Sequence, residues 1–212
     1  SGAVGLKALL HRAVDYRIKA KIWHVPILFL WPAIMVLEYG LMKLAGVPLS
    51  DPQLPFLMLP VSFAVFFIAA LCEEGGWQGY AIDPLQERWG ALTASVVLGI
   101  VCVLWHVVPF LQMDRTPTWI VWQGMSMVAV RILTVWIYNN TGKSVFAAIL
   151  FHAMNNVSTV LLPAYGWHYD PLLGFIILAI NVVIVIFLWG PRTLVRYRYG
   201  PSGGDVRPSV AN

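Results

Sequence analysis

From residue 24 to residue 190 the chain alternates long apolar runs with short polar breaks. Six runs offer roughly the 20 residues a helix needs to cross a bilayer's hydrocarbon core: 24–45, 56–80, 91–112, 118–138, 143–162 and 171–190. The breaks, VPLSDPQLP, IDPLQERWG, QMDRTP, NNTGK and the YGWHYDP turn, carry the prolines, glycines and charges that end helices. There is no internal repeat and no low-complexity tract. The pattern predicts an all-α polytopic membrane protein: one domain over 1–212, a bundle of about six transmembrane helices around a polar intramembrane cavity. A basic cytoplasmic or interfacial segment is expected at 1–23, and a basic, flexible tail at 191–212.

Composition agrees with that reading. Only 11% of the 212 residues are charged and 59% are hydrophobic, where a soluble domain carries about 25% charged residues. Nine of the 14 basic residues lie in the tails: Lys7, Arg12, Arg17, Lys19 and Lys21 before the first span, and Arg192, Arg196, Arg198 and Arg207 after the last. An even span count puts both tails on one side, and the positive-inside rule makes that side cytoplasmic. The net charge of +4 is therefore topological and no argument for a nucleic-acid partner. Leu6, Leu9, Leu10, Ala13 and Val14 recur at helical spacing, as in an interfacial helix. Cys72 and Cys102 sit in apolar runs and read as small hydrophobes. The opening SGAVGLK lacks a methionine and reads as a trimmed start, with residues expected upstream.

Charge inside the spans needs a reason, because a carboxylate or ammonium near a helix centre costs about 2.5–3.5 kcal/mol on insertion scales. Lys43 lies near a span end and can snorkel. Glu38 and Arg131 are deeper, each a structural counter-ion or a participant in chemistry. Glu73 and Glu74 end the apolar run PVSFAVFFIA in the stretch LCEEGGWQGY. His152 and Asn156, in LFHAMNNVS, are four residues apart and so share one helix face; Asn155 is turned about 100° away and is expected to bond another helix. His106, in VCVLWHVVPF, supplies a second imidazole.

EE followed by GWxGY on one apolar segment, WHxxP on the next and HxxxN on a later one resemble the three motifs of the CPBP intramembrane proteases, the family of type II CAAX prenyl endopeptidases and bacteriocin-processing proteins. The resemblance covers residues 60–160, and WIYNNTGKSVFAAILFHAMNN has the look of bacterial members. Two positions depart from it. The first motif is usually EExxxR, but Gln78 stands four after Glu74; the second is usually FxxxH, but Cys102 stands four before His106. Without an arginine the two carboxylates keep only mutual repulsion and desolvation. Arg131 is expected to supply the missing cation if its helix packs beside the second span, with Gln78 as a further supporting residue.

No serine is placed as a nucleophile beside these histidines, and neither cysteine joins the constellation, so water is the expected nucleophile. Adjacent residues on a helix point about 100° apart, so one of Glu73 and Glu74 does chemistry and the other supports. The resemblance implies that Glu73 and His106 hold and deprotonate the water, that His152 and Asn156 donate to the oxyanion, and that Glu74 orients a neighbour. It implies no cofactor. Zinc held by Glu73, His106 and His152 is the alternative; a proton-coupled transporter or a catalytically inactive scaffold are rivals of another class. The expected partners are a peptide or membrane-protein substrate and the bilayer, in a bacterial plasma membrane; oligomeric state and any prenyl group on the substrate stay open. The span limits put Glu73 about 12 Å and His106 about 22 Å from the cytoplasmic end. Closing that gap calls for a third span that begins later, after an interfacial helix over IDPLQERWGA. The cavity is then expected in the inner half of the membrane, open to cytoplasmic water.

Overall fold

A computed structural model describes residues 2–18, 20–52, 56–163 and 169–195, without the side chains of residues 2–4 and 6. Lys19, Arg196, Arg198, Arg207, the side chain of Leu6, most of the YGWHYDP turn and the expected flexibility of the last residues lie outside that description. The described elements are helical: α1 (Gly2–Val14), α2 (His24–Leu44), α3 (Met58–Gly76), a π-helical turn (Trp77–Ala81), α4 (Ile82–Trp89), α5 (Ala91–Gln112), α6 (Pro117–Asn140), α7 (Val145–Leu161) and α8 (Pro171–Trp189).

Local chemistry sets several helix starts. Thr116 caps α6 by accepting from Trp119 N, with Pro117 in the first turn. Ser144 caps α7 through Ala147 N, and Asp170 caps α8 through Leu172 N and Leu173 N. Gly90 breaks the chain between α4 and α5 at φ 78°, a conformation open to glycine, and a side chain there would also press on Arg192 O.

Five stretches are long and apolar enough to cross a membrane: Lys21–Leu44, Met58–Trp89, Ala91–Gln112, Pro117–Asn140 and Pro171–Trp189. The sixth expected span is α7, an apolar helix of 17 residues, about 25 Å long at 1.5 Å per residue. It is sheltered by α2, α3 and α6, while α6 itself packs against α5 and α8. Outward-facing side chains such as Phe29, Val65, Leu104, Ile180 and Phe187 are exposed and apolar, as a lipid-facing surface requires. The protein is an integral membrane protein.

The start of α2 and the end of α8 lie on one face, where Trp23, Trp136 and Trp189 pack edge to face with ring centroids 5.0–6.4 Å apart. Ala91 N donates to Arg192 O, and Asn139 and Asn140 donate to Thr193 O and Leu194 O on the same face. The ends of the helical core therefore meet there, as the even span count requires. In α1, Ala13 is buried whereas Leu10 and Val14 are exposed.

The register of the second span corrects the depth argument. The third span begins at Ala91 and not later, as closing the gap had called for; it is the second span that does not stop near residue 80, because α3, the π turn and α4 run on without a break to Trp89. Counted from Trp89, Glu73 is 16 residues in; counted from Ala91, His106 is 15 in. Both are then about 22–24 Å from the face that carries the chain ends, and the gap closes.

Candidate active site

Glu74 is fully buried and sits at the centre of the polar network. Arg131 Nη1 donates to both of its carboxylate oxygens, at 3.0 and 2.8 Å, and His152 Nδ1 lies 2.8 Å from Oε1. Arg131 Nη2 donates to Cys102 Sγ at 3.4 Å. Four helices, α3, α5, α6 and α7, are thus joined through one ion pair. Isolated charges this deep would each cost several kcal/mol, and pairing with further hydrogen bonds is what makes them tolerable.

The pairing fixes two tautomers. A carboxylate only accepts, so His152 Nδ1 carries the proton and Nε2 is left for chemistry. His106 Nδ1 lies 2.8 Å from the Cys102 carbonyl, which also only accepts. Nδ1 is again the protonated nitrogen, and Nε2 of the neutral ring keeps its lone pair.

These side chains line one cavity of about 260 Å³, together with Glu73, Asn155 and Asn156. Glu73 is half-buried and bound by no ion pair or hydrogen bond among the described residues. Within the one cavity, then, Glu74 is locked and Glu73 is free to act. No three His, Cys, Asp or Glu side chains converge as a metal-binding group among the described residues, and Glu74, the carboxylate that His152 touches, is already held by Arg131.

Several expectations change. Gln78 does not line the cavity; it is fully buried in the π turn, with both side-chain polar atoms lacking a hydrogen-bond partner among the described residues. Arg131 does meet a carboxylate from the fourth span, as expected, but only that of Glu74. Cys102, read as inert, contacts Arg131 through its sulfur and His106 through its carbonyl; its place one turn before His106 was the available signal. Cys72 is exposed. Asn155, expected to turn toward another helix, faces the cavity with Asn156. Lys43 reaches Asp51 at 3.4 Å near the end of α2, in keeping with snorkelling. Glu38 also lines the cavity. Finally, the cavity is not in the half of the bundle beside the chain ends. Phe110, Gln123, Ser126, Tyr169, Pro171 and Gly174 place it from mid-span toward the opposite loops.

Residues 55–158, which hold all three motifs, match the family described as type II CAAX prenyl endopeptidase Rce1-like. Over that stretch the chain is similar to the CPBP and CAAX protease family. It is 31% identical over 154 residues to the CAAX prenyl protease 2 of Methanococcus maripaludis, an alignment covering 65% of this chain and 56% of that protein. The chain thus spans little more than half the length of this family relative.

Proposed function

We propose that this chain is an intramembrane endopeptidase that hydrolyses a peptide bond in a membrane-associated peptide or protein with a water molecule activated by Glu73 and His106. The observation that carries this reading is the division between the carboxylates: Arg131 and His152 occupy Glu74, and no described residue forms an ion pair or hydrogen bond with Glu73. Water held between Glu73 and His106 Nε2 attacks the scissile carbonyl carbon as Glu73 takes its proton. The carbonyl oxygen becomes an oxyanion that accepts from Asn156 and, once His152 has taken up a second proton at Nε2, from that Nε2–H, with Glu74 facing the resulting cation at Nδ1. The C–N bond then breaks as Glu73 returns the proton to the leaving amine.

No metal or other cofactor takes part in this scheme. Substrate enters from the bilayer or from the loop face opposite the chain ends. Arg12, Arg17, Lys21, Arg88, Lys143 and Arg192 cluster at the chain-end face, which supports a cytoplasmic orientation for it by the positive-inside rule, in the plasma membrane of a bacterial cell.

The test is purified protein in liposomes, incubated with a defined mixture of apolar peptides and read by mass spectrometry for new termini. Cleavage by the wild type that persists after chelation, in protein free of bound metal, supports the reading. Cleavage abolished by chelation and restored by zinc replaces it with the metal reading, and no cleavage of peptides or membrane proteins leaves the scaffold.

A further inference from the structure

We infer that Glu38 is the specificity residue of the cavity and receives a cationic side chain, lysine or arginine, of the bound peptide. Glu38 lies on α2, outside the three motifs, and is 1% exposed. Its Oε1 accepts from Asp170 N at 2.8 Å, which fixes the side chain against the start of α8. Oε2 is buried with no hydrogen-bond partner among the described residues, and the residue lines the cavity that holds Glu73 and His152. A Cβ at Gly174 would stand 3.3 Å from Oε2, so the glycine leaves that oxygen room.

Charge favours a cation. The cavity is lined by Glu38, Glu73 and Glu74 but by a single guanidinium, Arg131, which is spent on Glu74. A buried carboxylate without a counter-charge is costly, and neither Trp31, Ile34 and Met35, which line the cavity from the same helix, nor Asp170 and Tyr169 beside it supply one. Depth gives the position. Glu38 touches the first turn of α8, whose Pro171 O accepts from Ser126 Oγ, and Ser126 is five residues before Arg131 on α6. That is about 7.5 Å from Arg131 along α6 toward the loop face, so Glu38 lies within two to three residues of extended peptide of the reacting carbonyl.

The inference rests on the peptidase reading for its meaning, but its test does not require turnover. Three fluorescent octapeptides, identical except for lysine, norleucine or glutamate at the third residue from the centre, are titrated against detergent-purified wild type and E38Q, both in a Glu73→Gln background, by anisotropy. E38Q keeps the acceptor for Asp170 N and removes the charge. The lysine peptide should bind the Glu38 protein at least 10-fold more tightly than norleucine, glutamate should bind most weakly, and E38Q should erase the ranking. Equal affinity for lysine and norleucine in the Glu38 protein, or a lysine preference that survives E38Q, overturns the inference; a neutral Glu38 donating to a peptide carbonyl gives the former. Binding selectivity without cleavage by the Glu73 enzyme would leave the subsite standing and remove the peptidase reading.

Discussion

Arg131 shows how one side chain can answer a deficit elsewhere in the sequence. The position four after Glu74 is Gln78, yet the guanidinium arrives from α6 and bonds both carboxylate oxygens. Removing one partner of a buried pair typically costs about 3–5 kcal/mol, so Arg131→Gln should lower the thermal midpoint markedly as well as the rate. Adding Gln78→Arg should recover part of both, because that position sits one turn from Glu74 on the same helix. A stable, fully active Arg131→Gln protein would show the ion pair to be dispensable. Asn156→Ala removes one oxyanion donor, and kcat should fall about 10²–10³-fold with KM nearly unchanged; steady-state kinetics on one peptide reads the split, and a pure KM effect would make Asn156 a binding residue.

At the scale of elements, the motif helices were legible because their apolar runs have the length of a span and their polar residues fall at helical spacing. What escaped was the end of the second span. IDPLQERWG reads as a polar break, yet it continues the helix as α4, where Asp83 accepts from Tyr138 at 3.0 Å and pairs with Lys143, and Gln86 exchanges hydrogen bonds with Asn139. Those partners are distant in sequence, so no local pattern announces them. The π turn was equally hidden. Insertions of this kind re-aim side chains and recur at functional sites; here Arg12 Nη1 donates to Gly79 O, and Leu9 packs on Gly79, docking α1 against the turn. Arg12→Ala should therefore raise amide exchange in residues 2–14 and in the π turn together; unchanged exchange would mean that α1 docks by other contacts. Between α5 and α6 it is backbone that comes close. A Cβ on Gly99 would lie 3.0 Å from Val128 Cα and 3.4 Å from Arg131 Cβ. Gly99→Ala should force the helices apart at a cost of about 1–3 kcal/mol and loosen Arg131; an unchanged thermal midpoint would contradict the packing.

Across the whole molecule, Arg12, Arg17, Lys21, Arg88, Lys143 and Arg192, the tryptophan cluster and both ends of the helical core share one face, while the cavity lies toward the other. In protein lacking Cys72, single cysteines at Lys21 and Arg192 should label from one side of the membrane and a cysteine at Asp51 from the opposite side; any other distribution would overturn the even crossing count. The same architecture separates holding the site together from running it. Glu74 ties four helices into one ion-pair network, and Glu73, its neighbour in sequence, takes no part in that network. The most direct test compares Glu73→Gln with Glu74→Gln in one preparation, reading both thermal midpoint and kcat on a defined peptide. Glu73→Gln should keep the midpoint and lose about 10²–10⁴-fold in rate, whereas Glu74→Gln should lower the midpoint by stranding Arg131. A Glu73→Gln protein that turns over at the wild-type rate would contradict the account.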